Sequence, residues 1–315
     1  MNSQDADQLL FDAAMHDIVQ RWPRAEHPSC HSAPTRVFGN RLFHPGDNGP
    51  GEEDGMMDTD ALAARLVDDH DRTEKFRPFA AASGIASIDD SYAVQERYVA
   101  LLKPRCGAAI GYKIGLTSQR MQAMCGIGHP IAGVVLADRL HHSGARLAIA
   151  DYGRMGLEFE IAVRMASDLP SGGPAWTQDN IAPHVAGVCA AIEIVDDRAA
   201  DYAELDVLSL VADNSWNGGV VLSGFRSDWP ALDAVSGTVS RNGTEIDRGH
   251  GRDVLGHPFA PLAWLANALA AKGQSLRAGE IVMTGSLVTT RFPTESESYR
   301  FELEGIGAVE LHVTA

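Results

Sequence analysis

Apolar and polar positions alternate through the centre of the chain, and this pattern predicts strands. Over 157–163, apolar residues flank Glu158 and Glu160 on both sides, which is typical of a strand. Because residues two apart on a strand share a face, both glutamates are expected to point the same way. Farther along, Glu193 lies inside a second apolar run over 190–195, which predicts a buried strand. A helix over roughly 181–188 is predicted between the two.

Patterns on either side of this centre predict the other elements. Helical spacing indicates helices from residue 58, over 86–102 with a cap at 89–91 and an end at Pro104, over 119–125 with a cap at Ser118, and over 261–271. Strands are predicted over 108–118, 220–224, 234–241, 244–248, 280–286, 299–303 and 307–313. Short strands with few helices predict a β-rich α+β fold.

The first 55 residues differ in composition from the rest. Proline, glycine, asparagine and histidine cluster over 23–55, and only 7–22 has a helical pattern. We therefore expect a weakly ordered N-terminal extension over 1–55 and a catalytic domain over 56–315. The alternatives are a regulatory or oligomer-specific arm, or a biological start at Met56 or Met57.

Charge and composition exclude several functions. The chain has 315 residues, 45% of them hydrophobic, and a formal net charge of -16, which argues against nucleic acid or an anionic membrane as partner. It contains no apolar run of the ~20 residues that a membrane span requires. The four cysteines have no C-x-x-C spacing and are expected to be reduced thiols of a cytoplasmic protein. Neither G-x-G-x-x-G, nor a phosphate-binding loop, nor G-x-S-x-G occurs.

The acidic strands carry the first candidate chemistry. Side-by-side carboxylates repel each other, and a buried unpaired glutamate is costly. A hard divalent cation, which prefers oxygen ligands, would satisfy Glu158, Glu160 and Glu193 together. Two other interpretations stay open: a half-buried strand whose glutamates face water, and a structural ion pair between Glu193 and a basic residue.

Two polar positions near other predicted strands are also candidates. Lys113 interrupts a short apolar strand bounded by glycines, so burial there would require an anionic neighbour; the alternative is an exposed strand face. Asn214 and Ser215 lie in a polar loop before a strand. They could bind substrate or form turn contacts with the backbone.

Taken together, eight motifs resemble the 2-keto-4-pentenoate hydratase and 4-oxalocrotonate decarboxylase family of the fumarylacetoacetate hydrolase superfamily. The motifs are GYKIGLTS over 111–118, LEFEIA over 157–162, AIEIVD over 191–196, ADN over 212–214, LGHP over 255–258, AWLANAL over 263–269, LRAGE over 276–280 and TGS over 284–286. The resemblance extends from about residue 57 to the C-terminus, and it is specific because the motifs occur together, in this order and spacing.

The resemblance implies a fumarylacetoacetate hydrolase-like fold with a helical N-terminal part, and a homo-oligomer. It also implies Mg²⁺ or Mn²⁺ held by Glu158, Glu160 and Glu193, and a functional Lys113. Such a metal can bind the carboxylate and keto oxygens of a small 2-oxo acid and stabilise an enolate, while Lys113 moves protons. Water could then add to an unsaturated acid such as 2-oxopent-4-enoate. Decarboxylation, acylpyruvate C–C hydrolysis and a non-catalytic scaffold role are the alternatives.

Two positions depart from that family's pattern. An acidic residue is common in the turn after the lysine motif, whereas this chain has Ile131 there, two residues after His129. We expect either that His129 takes over the polar role of the missing acidic residue, or that this chain acts on a different substrate from other members of the family. A second motif of the family reads here as DNSW over 213–216, which places a large indole at Trp216. The predicted substrate contacts are Asn214, Ser215, Thr284, Gly285 and Ser286.

Overall fold

The computed structural model describes residues 58–170 and 172–315. The predicted extension over 1–55 and the candidate starts Met56 and Met57 lie outside the described residues. From residue 58 the chain forms helices first and sheets afterwards. The prediction of a β-rich α+β fold with a helical N-terminal part is confirmed.

Six α-helices and twelve strands build the described part. The helices are α1 (Thr59–Asp71), α2 (Ile88–Cys106), α3 (Gln119–Met124), α4 (Gln178–Ile181), α5 (Val207–Ala212) and α6 (Phe259–Ala271). The strands are β1 (Ala109–Gly115), β2 (Ile131–Leu136), β3 (Leu140–His142), β4 (Ala145–Ala148), β5 (Met155–Met165), β6 (Val185–Asp196), β7 (Asn217–Leu222), β8 (Ser236–Arg241), β9 (Thr244–His250), β10 (Ile281–Ser286), β11 (Glu297–Leu303) and β12 (Gly307–Thr314).

These strands form two sheets. One has seven strands in the order β2-β1-β10-β5-β6-β7-β3, and the other has five in the order β4-β12-β11-β8-β9. Most pairs are antiparallel, but β1 with β10, β3 with β7 and β4 with β12 are parallel. The long strands β5 and β6 pair along almost their whole length at the centre of the larger sheet.

The larger sheet curls so that its β2 side meets the segment before β7. Asn214 bridges this approach: its side-chain oxygen accepts from the Val134 backbone N–H at 2.7 Å, and its amide donates to the Val134 carbonyl at 2.9 Å. A Cβ on Gly133 would lie 2.5 Å from the Asn214 carbonyl oxygen, so a larger residue there would force the two segments apart. The inner face of the sheet is therefore enclosed.

Three apolar clusters hold the sheets and helices in place. One lies between the two sheets and includes Phe159, Tyr299 and Phe301. A second joins α1, α2 and α5 to the sheet and contains Trp216. The third lies on the face of the larger sheet that carries the glutamates, where the positions on β5 and β6 next to the glutamates have the small side chains Ala162, Cys189 and Ala191. The small residues leave room on this face for longer polar side chains.

Three local sequence predictions are wrong. Helix α2 is capped by Ser87 rather than by a residue of 89–91. The Ser87 hydroxyl accepts from the Asp90 N–H at 3.1 Å, and the Asp90 carboxylate accepts from the Ser87 N–H, which forms a capping box. Pro104 does not end the helix, since a proline in the last turn costs one donor and the Gly107 N–H still reaches the Lys103 carbonyl. Residues 185–188 are strand rather than helix, because β6 pairs with β5 from Met165 onward.

The predicted cap at Ser118 is confirmed, and the strands predicted over 234–241 and 244–248 are present as β8 and β9, which pair as an antiparallel hairpin. Sequence reasoning did not identify β2, β3 and β4. None of the helices within 58–170 and 172–315 combines the length and apolar character needed to span a bilayer.

A buried ionic cluster fastens the helices to the end of β6. The Asp213 carboxylate is fully buried, accepts from Arg198 Nη2 at 2.6 Å and lies 2.7 Å from His70 Nε2. Burial alone would raise the pKa of Asp213, but the charges of Arg198 and His70 more than offset it and hold that pKa below its ordinary value. The cluster therefore connects α1, the end of β6 and the segment after α5.

We predict that Asp213→Asn lowers the free energy of unfolding by about 3–5 kcal/mol, because it leaves Arg198 buried without a counter-charge. Since the folded state depresses the pKa of Asp213, its stabilisation is present above the ordinary aspartate pKa and is lost as the pH falls through the folded value. Urea denaturation across an acid pH series measures both effects. Asp69→Asn, at a partly exposed i,i+4 pair, is the control and should change stability by under ~0.5 kcal/mol. Equal effects of the two substitutions would contradict this role.

Candidate metal centre

Adjacent strands of the larger sheet place three glutamates and a lysine on one face. Glu158 on β5 lies directly opposite Glu193 on β6, and Glu160 follows two residues later on β5. Lys113 on β1 aligns with Met283 of β10, which aligns with Ala162 of β5. Lys113, Glu158, Glu160 and Glu193 are 2%, 1%, 0% and 0% exposed. The interpretations that placed the glutamates or the lysine on an exposed strand face are therefore wrong.

Glu193 is paired with the lysine. Lys113 Nζ donates to Glu193 Oε2 at 3.1 Å, and Asn217 Nδ2 donates to Glu193 Oε1 at 2.7 Å. The ion pair that the sequence left open as an alternative is thus present, and Lys113 is the basic partner. One ammonium nevertheless faces three carboxylates.

The other two glutamates have separate partners. The Thr290 hydroxyl donates to Glu158 Oε1 at 2.6 Å, and the Gly285 N–H donates to Glu160 Oε2 at 2.9 Å. Glu160 Oε1 is buried and has no hydrogen-bond partner among the described residues. A buried oxygen without a donor is costly unless a group outside the chain binds it.

Burial and mutual repulsion both act on these carboxyl groups. Desolvation is the main reason that the pKa of Glu160 is raised well above its ordinary value, and the neighbouring Glu193 and Glu158 carboxylates raise it further. Desolvation likewise raises the pKa of Glu193, although Lys113 opposes the shift. A cation at this face would relieve both causes of destabilisation.

The carboxylates do not form a ready-made coordination shell. Within the described ranges, no three acidic, histidine or cysteine side chains are grouped closely enough to hold a metal ion as they stand. The expected convergence of the oxygens on one point is therefore not met in this arrangement, because each carboxylate turns to its own donor. The donor set still fits a hard divalent cation: three buried carboxylates on adjacent strand positions, one with an unpartnered oxygen.

A bulge in β10 positions Gly285. The pairing of β10 with β5 shifts between Met283 and Ser286, and Gly285 has φ +123°. A Cβ on Gly285 would lie 2.2 Å from Thr117 Oγ1. Only glycine fits there, and the bulge aims its N–H at Glu160.

A narrow cavity opens beside Lys113. The cavity has a volume of about 10 Å³, which is roughly enough for one water molecule. Its polar lining is Lys113, Glu158 and Ser215, and the rest is Gly115, Leu116, Ile131, Val195, Leu210 and Trp216. Ile131 and Trp216, the two positions that depart from the family pattern, are thus on the same cavity.

The remaining predicted residues have mixed positions. Ser215 lines the cavity, and its hydroxyl donates to the Ala132 carbonyl at 3.3 Å. The hydrogen bonds of Asn214 go to Val134. Thr284 donates to the Ile161 carbonyl at 2.7 Å, and Ser286 donates to the Val288 carbonyl at 2.9 Å. In this arrangement these contacts hold the strands around the glutamates.

His129 lies away from the cavity lining. Its ring stacks on Trp264, with the ring centroids 6.0 Å apart, and its Nδ1 lies 2.7 Å from the Pro130 carbonyl oxygen. Trp264 lines a separate groove of about 230 Å³ between α2 and α6. The structure does not bring His129 to the polar groups beside Lys113.

Sequence reasoning missed Asn217 and Thr290. Asn217 belongs to the polar loop that drew attention to Asn214 and Ser215, so its amide was an available signal, although the predicted strand began only at residue 220. Thr290 gave none, because its distance from Glu158 along the chain hides a contact made only in the folded sheet.

The comparison that decides the family is with the fumarylacetoacetate (FAA) hydrolase C-terminal model, which matches residues 118–314, more than half of the chain. This chain belongs to the fumarylacetoacetate hydrolase family. The resemblance inferred from the lysine and glutamate motifs is confirmed.

Curated relatives of this family member carry hydratase names. The 2-oxo-hept-4-ene-1,7-dioate hydratase of Escherichia coli is 30% identical over 255 residues, covering 79% of this chain and 95% of the relative. A 2-keto-4-pentenoate hydratase 2 of Dechloromonas aromatica is 32% identical and covers 71% of this chain and 86% of its own. The 2-hydroxyhexa-2,4-dienoate hydratase of Comamonas testosteroni is 30% identical, with coverage of 72% and 87%.

A solved structure shares the fold. The 4-oxalocrotonate decarboxylase of Pseudomonas putida G7, complexed with magnesium and adipate, matches with a TM-score of 0.76 and 25% identity, covering 81% of this chain and 97% of that one. The predicted fumarylacetoacetate hydrolase-like fold is therefore confirmed.

We predict that Gly285→Ala lowers the free energy of unfolding by about 3 kcal/mol, because the added methyl overlaps Thr117 and the backbone is left-handed. Thermal and urea denaturation measure the loss. Gly128→Ala is the matched control, since no atom lies within 4 Å of a Cβ there, and it should have little effect. Similar stabilities for the two variants would refute the proposed crowding at Gly285.

Proposed function

We propose that this protein is a divalent-metal-dependent hydro-lyase that adds water to a small unsaturated 2-oxo acid such as 2-oxopent-4-enoate. The observation that carries the proposal is the burial of Lys113 together with Glu158, Glu160 and Glu193 on one face of the sheet. Hydratase relatives that align with most of the chain support the reaction class.

The donor chemistry supports a divalent metal, Mg²⁺ or Mn²⁺. Glu158, Glu160 and Glu193 would hold it, and the unpartnered oxygen of Glu160 is the first ligand we assign. The decarboxylase that shares the fold has been solved with magnesium and adipate and with calcium and acetate. A bound cation would supply a Lewis acid for the carboxylate and keto oxygens of the substrate.

The chain's own residues supply the remaining functions. Lys113 is the one basic side chain in the lining of the cavity as far as the chain is described, and we assign proton transfer between substrate and water to its Nζ. Thr290 and the Gly285 N–H orient two of the carboxylates. The apolar wall of the cavity excludes bulk water, which strengthens each of these interactions. Asn214, Ser215, Thr284, Gly285 and Ser286 remain candidate substrate contacts, and His129 remains the catalytic candidate that the sequence named, although here its ring stacks on Trp264.

Decarboxylation of a 2-oxo acid is the second candidate, favoured by the fold shared with 4-oxalocrotonate decarboxylase. The same withdrawal of charge from the keto group would serve it, so the products decide between the reactions. Release of carbon dioxide from 4-oxalocrotonate without hydration of a dienoate would favour the decarboxylase. We also infer a homo-oligomer located in the cytoplasm, with small 2-oxo acids rather than nucleic acid or membrane as partners.

We predict that the purified protein with Mg²⁺ converts 2-hydroxypenta-2,4-dienoate, which is measured as the loss of its dienol absorbance. EDTA should abolish this activity until Mg²⁺ or Mn²⁺ is restored. Glu160→Gln should weaken Mn²⁺ binding, measured by calorimetry, by about 100-fold, because it removes a charged ligand. Glu304→Gln, at an exposed glutamate, is the matched control. Turnover that persists in EDTA, or unchanged Mn²⁺ affinity in Glu160→Gln, would contradict the metal assignment.

We predict that Lys113→Met retains metal binding but lowers kcat by roughly 10³-fold, the scale of a lost general acid–base group. Calorimetry with Mn²⁺ and the dienol assay separate the two effects. The exposed Lys75→Met should behave as wild type. Undiminished kcat in Lys113→Met would eliminate the proton-transfer role.

A further inference from the structure

The cavity beside Lys113 has two chemically different ends. Lys113 and Glu158 form the charged end, next to the other two glutamates. The rest of the lining is mostly apolar: Leu116, Ile131, Val195, Leu210 and Trp216 contribute to it, and Ser215 is its other polar side chain. A ligand whose carboxylate lies at the charged end therefore extends mainly along hydrocarbon.

The apolar wall has little freedom to rearrange. The Trp216 ring packs edge-on against Phe76, with the ring centroids 4.9 Å apart, and against Tyr202 at 6.0 Å. The other apolar wall residues belong to the same buried cluster as Trp216: Leu116, Ile131, Val195 and Leu210. The cavity must enlarge when an acid binds, and close packing of this kind limits how far it can do so on the side of Trp216.

The backbone that carries Trp216 is held in an unusual conformation. Asn214, Ser215 and Trp216 have φ values of +50°, +49° and +57°, three consecutive non-glycine residues in the left-handed region that side chains disfavour. The two hydrogen bonds of Asn214 to Val134 hold this turn against β2. Strain of this kind is retained where the surrounding structure enforces it, often beside a functional site.

Charge adds to the selection. Among the described residues, the cavity lining contains no basic side chain other than Lys113, which already lies 3.1 Å from Glu193. A second carboxylate beside Ile131 and Trp216 would be desolvated without a basic side chain of its own to offset its charge. A hydrogen atom, a vinyl group or a methyl group would be accepted there.

We propose that Ile131 and Trp216 form an apolar end wall that restricts the substrate to short 2-oxo acids with a single carboxylate. The proposal rests on the proposed function and narrows it: dicarboxylates are rejected by the wall, whereas the charged end performs the chemistry on any acid that fits.

The test compares three acids with metal-loaded wild-type protein: 2-hydroxypenta-2,4-dienoate, 2-hydroxyhexa-2,4-dienoate and the dicarboxylate 2-oxohept-4-ene-1,7-dioate. We expect kcat/KM for the dicarboxylate to be at least about 100-fold below that for the five-carbon acid. Values within about tenfold of each other would overturn the inference and leave the proposed function intact. Turnover of none of the three acids would overturn both.

Two variants test whether Ile131 and Trp216 determine which acid the protein accepts. Trp216→Phe and Ile131→Val each remove volume from the wall, so both should raise kcat/KM for the six-carbon acid relative to the five-carbon acid, by about tenfold for Trp216→Phe. Phe76→Leu is the matched control: Phe76 packs against the indole but does not line the cavity, so this variant should lose stability but keep the wild-type ratio. An unchanged ratio in both wall variants, or an equal change in Phe76→Leu, would refute the assignment. Ile131→Val keeps the test valid if Trp216→Phe does not fold.

Discussion

The structure depends on the burial of three carboxylates against a single ammonium. Glu158, Glu160 and Glu193 are almost fully buried inside the sheet, and the Lys113 ammonium forms an ion pair with Glu193. A few neutral donors satisfy individual oxygens, but one oxygen of Glu160 has none among the described residues. Stability alone would favour apolar residues here. The arrangement is better explained by a cation that completes the charge balance and performs chemistry.

The sheet is built to create this enclosed, charged space. Pairing of β5 with β6 sets Glu158 opposite Glu193, and the small side chains of Ala162 and Cys189 line the same face, which leaves volume for the long Lys113 side chain. Gly133 contributes as well, because a Cβ there would lie 2.9 Å from Lys113 Cγ. The small residues therefore allow the strands to approach closely and still leave room for the Lys113 side chain inside the sheet.

The sequence predicted the candidate lysine and glutamates better than the elements and contacts that surround them. Charged residues inside apolar strand patterns are unusual, so Lys113 and the glutamates could be identified from local pattern and electrostatic cost. The predicted helix over 181–188 is wrong from residue 185 onward, because the pairing of β6 with β5 overrides the local helical spacing there. Contacts such as that of Thr290 with Glu158 join distant parts of the chain and leave no local signal. The first 57 residues lie outside this comparison.

The two ends of the cavity separate reaction from selection. The charged end uses residues within motifs that identify the family, which is why the reaction class follows from sequence. Ile131 and Trp216 depart from that pattern, yet both lie on the cavity, and the left-handed turn that carries Trp216 is fixed to β2 by Asn214. Replacing a polar wall by an apolar one leaves the metal chemistry available while changing which acid fits. Ile131 lies on β2 and Trp216 in the turn before β7, whereas the glutamates lie on β5 and β6 and Lys113 on β1, so a substitution at Ile131 or Trp216 leaves the strands that carry the charged groups unchanged.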